Sequence, residues 1–125
     1  MPGSILLVYS NCPEGQEDEF NRWYDTVHVP DLLALDGVVA ARRFALSGPG
    51  IPMTARDGSA TVARFLAMYE LDSDDTRTMM RRINQAHNEL VQQGRVVAYL
   101  QVVGAATYLP LGERRTAAGN DGTDR

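Results

Sequence analysis

An α+β fold, with two helices on one face of a four-stranded antiparallel sheet, is what the sequence predicts. Three observations predict it. The apolar patterning gives the element order β-α-β-β-α-β, both helical segments carry one apolar stripe, and the strand segments are apolar towards both faces. That order, with helices of this size, is the pattern of a ferredoxin-like domain.

The elements follow in turn. Residues 4–10 (SILLVYS) are a short apolar run rich in β-formers and read as a buried strand. Asn11-Cys12-Pro13 breaks it, and Glu14, Glu17, Asp18 and Glu19 favour a helix N-terminus through the macrodipole. Phe20, Trp23, Tyr24 and Val27 then fall at i, i+3, i+4 and i+7, one buried helical face. Pro30 is expected to end this helix near residues 27–29. Asp36-Gly37 signals a turn, and residues 38–46 (VVAARRFAL) read as a strand. Alternation puts Val38, Ala40, Phe44 and Leu46 on one side of it, and Val39, Ala41 and Ala45 on the other.

Residues 47–60 hold three glycines and two prolines, a long loop and a candidate lid. Residues 61–71 (TVARFLAMYEL) read as the next strand. Asp72, Ser73, Asp74 and Asp75 supply caps for a second helix, whose apolar face is Met79, Met80, Ile83, His87, Leu90 and Val91 and whose end is Gly94. Residues 99–109 form the last strand. The expected organisation is one domain over 1–110 and a flexible tail over 111–125. Helices cover one sheet face, and a chain of 125 residues has nothing left for the other. A second copy is the expected cover, closing a dimeric α+β barrel.

Composition bounds the chemistry. At 44% apolar and 22% charged the chain is an ordinary globular sequence, which excludes a disordered tail or a disulfide scaffold. The net charge of −4 argues against nucleic acid as a partner. Apolar stretches such as residues 5–9 fall far short of the roughly 18–20 residues of a membrane span, so no membrane association is expected. No basic segment precedes the apolar start, so no secretory leader is expected. All 12 basic residues are arginine, which removes Schiff-base chemistry and the lysine of a phosphate-binding loop. Cys12 is the sole cysteine, and a reducing cytoplasm is the expected location. With two histidines, one chain cannot build a three-histidine zinc site, and neither a metal nor another cofactor is expected.

The segment FNRWYDTVHVPDLLALDGVVAARRF, residues 20–44, resembles the EthD-like family of the dimeric α+β barrel superfamily. The residues that carry the resemblance are Trp23-Tyr24, then His28 with Pro30, then Gly37 entering an arginine-bearing strand. By motif it covers about a fifth of the chain, and Asp36 stands where a proline is expected. Relatives in the wider superfamily include cofactor-free monooxygenases, polyketide cyclases, decarboxylases and lactone isomerases. The resemblance implies a small-molecule pocket between helix and sheet, and a homodimer.

His28 is the leading candidate for chemistry. It follows Tyr24 by four residues and flanks the apolar stripe, about 40° round from Tyr24, where a histidine can face a pocket. Its ordinary pKa of about 6.5 suits proton transfer. The alternative is a helix-terminal histidine held by the last carbonyls. Tyr24 either hydrogen-bonds a substrate oxygen or packs in the core. Trp23, Arg43, Arg64 and His87 are candidate substrate-binding residues, each with a structural alternative. For Trp23 that is the core. For His87 it is a neutral, hydrogen-bonded core position. For a buried strand arginine it is a carboxylate partner, Glu70 being the obvious internal one. Asp31 can orient His28 or lie on the surface. Cys12 reads as inert.

The expected function is a cofactor-independent cyclase, isomerase, dehydratase or decarboxylase. Its substrate would be an aromatic or polyketide-like small molecule. His28 moves the proton, Tyr24 positions an oxygen and a strand arginine stabilises an oxyanion. A non-catalytic binding or accessory protein, and a cofactor-free monooxygenase, are the alternatives.

Overall fold

The computed structural model describes residues 3–55 and 57–117. Four strands, β1 (Ser4–Asn11), β2 (Val38–Ala45), β5 (Phe65–Leu71) and β6 (Gln101–Tyr108), form one sheet in the order β2-β5-β1-β6. Every neighbouring pair is antiparallel. With the helices between β1 and β2 and between β5 and β6, this is the ferredoxin-like α+β fold. No helix among the described residues is long and apolar enough to cross a membrane. Residues 118–125 of the expected tail lie outside the described residues.

The first helical run does not stop before Pro30. It comprises α1 (Glu17–Trp23), a π-helical turn (Tyr24–His28) and α2 (Val29–Leu33). Proline has no N–H, and its ring clashes with the carbonyl four residues earlier in a regular helix. Here the turn before it is widened instead: the Val29 N–H donates to the Tyr24 carbonyl, five residues back. The Thr26 hydroxyl donates to the Arg22 carbonyl at 2.6 Å within the same stretch. The proline is absorbed, and the helix carries Leu32 into the core.

The second long helix, α3 (Thr76–Gln92), starts as its acidic cap predicts. The Asp75 carboxylate accepts from the Thr78 N–H at 3.1 Å and the Thr78 hydroxyl at 2.7 Å. Met79 and Ile83 are its buried residues. Between sheet and helices lie Leu6, Phe20, Tyr24, Leu32, Val38, Ala67, Tyr69, Leu71 and Met79.

Two registers differ from simple alternation. A bulge between Val38 and Ala40 places Val38 opposite Leu71 and Ala40 opposite Glu70. Val38 therefore shares the helix-covered face with Ala41 and Arg43, not with Ala40 and Phe44. The long loop also holds structure: β3 (Met53–Thr54) pairs with β4 (Ala60–Thr61). The strand expected from residue 61 begins only at Phe65, because the Asn11 side chain takes the backbone partners that a strand would offer. Its amide donates to the Val62 carbonyl at 3.0 Å and its oxygen accepts from the Arg64 N–H at 2.7 Å.

The uncovered sheet face carries Ile5, Leu7, Leu66 and Met68, flanked by the exposed Phe44 and Tyr108.

Candidate functional site

The π-helical turn gathers the aromatic residues. In a regular α-helix, at about 100° per residue, Trp23 and His28 would point about 140° apart. The widened turn closes that angle, and the His28 ring stacks on Trp23 with centroids 4.8 Å apart and planes at 22°. Tyr24 meets His28 edge-to-face at 5.0 Å. From α3, His87 meets His28 edge-to-face at 5.9 Å. His28 is 5% exposed, so it lies inside the helix-sheet layer and a full turn before the helix ends. The helix-terminal placement expected from Pro30 does not hold.

Burial sets the protonation state of His28. Desolvation, reinforced by His87, pushes its pKa down to about 4; Asp31 opposes the shift and Arg43 adds to it. The imidazole is neutral at pH 7. Its Nδ1 is buried and has no hydrogen-bond partner among the described residues. Asp31 does not orient it: both Asp31 oxygens are held by Arg95, at 2.6 and 3.0 Å. The Trp23 Nε1–H donates to the Arg95 carbonyl at 2.8 Å, tying the chain after α3 to the first helix.

Arg43 enters the same layer from β2, with its side chain 13% exposed. Glu70 is not its partner, because it occupies the opposite face of the sheet. The guanidinium instead reaches up to the first helix. Nη1 pairs with Asp25 at 3.0 Å and Nη2 donates to Asn21 Oδ1 at 2.7 Å. It lies 4.3 Å from the centre of the Tyr24 ring. Asp25 is thus the counter-ion while its side chain remains 60% exposed.

Tyr69, on β5, is the residue that sequence reasoning missed. It is 1% exposed, and its hydroxyl lies within reach of the Tyr24 phenol but in aligned hydrogen-bonding geometry with no described residue. Burial raises its pKa, and the Tyr24 phenol beside it raises it further. The available signal was its position. Phe65, Ala67, Tyr69 and Leu71 alternate onto one face of a central strand, and Tyr69 alone among them has a polar tip.

His28, Tyr24, Trp23, His87 and Arg43 thus come together, with Tyr69 beneath them. Arg64 stays apart. Its Nη1 pairs with Glu17 at 2.8 Å and its Nη2 donates to the Cys12 carbonyl, so it joins the end of β1 to the start of α1. His87 is half-buried and has no hydrogen bond among the described residues, unlike the hydrogen-bonded core histidine of the structural alternative.

Two clefts open elsewhere. One, of about 360 Å³, lies between the β3-β4 hairpin and the ends of β1 and β6, lined by Asn11, Asp57, Thr61 and Val103 among others. The other, of about 570 Å³, adjoins Asp72, Ser73 and Asp74.

Fold and site together define a ferredoxin-like α+β protein with an aromatic-imidazole cluster between its first helix and its sheet. Among solved structures, the crystal structure of HapK from Hahella chejuensis is similar. It matches at a TM-score of 0.60 and 16% identity, over 91% of this chain and 98% of that one. No protein-family model matches the sequence, and no curated protein does.

Proposed function

We propose that the protein is a cofactor-independent enzyme, a cyclase, isomerase, dehydratase or decarboxylase, acting on an aromatic or polyketide-like small molecule. The observation that carries this is His28: a neutral, buried imidazole with a free Nδ1, packed among Trp23, Tyr24 and His87 beside the Arg43 guanidinium. A buried polar atom without a partner is rare unless a ligand or water completes it. Aromatic rings supply a surface for a flat substrate, the imidazole accepts a proton, and Arg43 faces the charge that develops. The resemblance of residues 20–44 to the EthD-like family supports the same reading, and the uncovered apolar sheet face supports a homodimer in which two copies cover each other.

A binding or accessory role is the second reading. A pKa of about 4 makes His28 a weak base at neutral pH, below the range that favours general-base catalysis. Chelator-treated protein incubated with aromatic β-ketones, poly-β-ketones and polyphenols, with products followed by mass spectrometry, separates the two. Conversion by the wild type supports the enzyme. Tight binding of a panel member without conversion supports the accessory role and overturns the catalytic one.

A further inference from the structure

Four buried polar side-chain atoms lack a hydrogen-bond partner among the described residues: His28 Nδ1, Arg43 Nε and the hydroxyls of Tyr69 and Tyr99. Arg43 and Tyr69 are diagonal neighbours on the helix-covered face. Arg43 stands opposite Ala67, and Tyr69 opposite Ala41, on the same pair of strands. Nη1 and Nη2 of the Arg43 guanidinium each have a partner, in Asp25 and Asn21, while Nε is its one nitrogen with none among the described residues. The Tyr69 hydroxyl stays protonated across the physiological range, because burial and Tyr24 both raise its pKa, so it too is a donor. Leaving two such donors buried without an aligned acceptor costs stability, about 1–3 kcal/mol for a fully unsatisfied group.

We propose that Tyr69 and Arg43 form an oxyanion site. They donate the Tyr69 O–H and the Arg43 Nε–H to the oxygen of a phenolate or enolate ligand. This rests on the small-molecule reading above and narrows it: the ligand carries an ionisable oxygen conjugated to a flat carbon frame. Tyr24 and Trp23 pack against that frame. The Arg43 charge favours the ionised form, and a neutral isostere accepts from the same donors more weakly.

The test uses binding, with no need for turnover. The probes are 4-nitrophenol, whose phenolate absorbs in the visible, benzoylacetone, whose enolate has its own ultraviolet band, and 4-nitroanisole as the neutral isostere. Wild-type protein is expected to lower the ionisation pH of a bound probe by about one unit or more, as a fixed cation does. A response to 4-nitrophenol alone assigns the oxygen as phenolic, and a response to benzoylacetone alone assigns it as enolic. Tyr69→Phe is expected to weaken binding of the ionised probe about tenfold or more. It should weaken 4-nitroanisole much less than the ionised probe, and its melting temperature should hold or rise because a hydroxyl without an aligned acceptor is gone. Arg43→Lys keeps the charge, loses the Nε–H, and is expected to weaken the ionised probe likewise. Equal binding of the ionised probes and 4-nitroanisole, unchanged affinity in both variants, or no binding of any probe would each overturn the proposal. An oxyanion site in a protein that converts no substrate removes the catalytic reading alone. Turnover undiminished in Tyr69→Phe removes the oxyanion site alone.

Discussion

His28 and Trp23 stack face to face, 4.8 Å between ring centroids, although they stand five residues apart on a helical run. The π-helical turn between them brings them into contact, and it accommodates Pro30, whose ring a regular helical turn would clash with. The stack buries the imidazole, burial keeps it neutral, and a neutral buried imidazole is the centre of the candidate site.

The first prediction follows from that burial. The His28 pKa is about 4 in the folded protein against an ordinary value of 6.5. Between those values the unfolded chain binds the proton and the folded chain does not, so stability is greatest above about pH 6.5 and falls as the pH drops towards 4. The loss attributable to His28 is about 3 kcal/mol over that interval. Urea denaturation across the interval should show it, and His28→Gln should flatten that part of the curve. Parallel curves for the two proteins would mean that His28 titrates normally.

The second concerns proton transfer. If His28 carries it, His28→Ala should reduce turnover about 10²–10⁴-fold in protein that remains folded by circular dichroism. Tyr24→Phe keeps the ring against Arg43 and His28 and removes only the hydroxyl, so it should cost less. Undiminished turnover in a folded His28→Ala protein would take His28 out of the mechanism.

The third concerns the uncovered sheet face. Met68 lies on it, opposite Leu7 on one side and Arg42 on the other. Wild-type protein should scatter light as a particle of about twice the 13.7 kDa chain mass. Met68→Glu places a charge on that face and should shift the particle to the chain mass, with the sheet spectrum retained. A monomeric wild type would remove the dimer.

The fourth concerns the turn into β2. Gly37 has φ +96°, and a Cβ there would lie 2.8 Å from the Met79 methyl. Gly37→Ala should lower stability by about 1–3 kcal/mol, chiefly through backbone strain, since the methionine end can move. A melting temperature equal to that of the wild type would show that the turn relaxes to a different conformation.

Much of this architecture is legible in the residues themselves. The apolar run at β1, the stripe of Phe20, Trp23 and Tyr24, the acidic cap at Asp75 and the two strands after Gly37 identify the elements and their order. Each is a local signal, set by a turn geometry that neighbouring residues establish together. Their order is enough to indicate the sheet and its helices. His28, Tyr24, Trp23, Arg43 and His87 could be singled out because their types are chemically distinctive and their spacing puts them near one stripe or strand.

What only the tertiary structure decided lies where periodicity breaks or where partners are distant. A constant rotation of about 100° per residue places His28 at the stripe edge, whereas the π-helical turn carries it inside. A one-residue bulge at Val39 decides which face Val38 occupies, and alternation cannot register it. Arg43 pairs with Asp25 rather than Glu70 because Glu70 is across the sheet while the first helix crosses directly above Arg43. Tyr69 joins the site for the same reason: its neighbours there come from β2 and the first helix, and packing chooses such contacts after the local elements have formed.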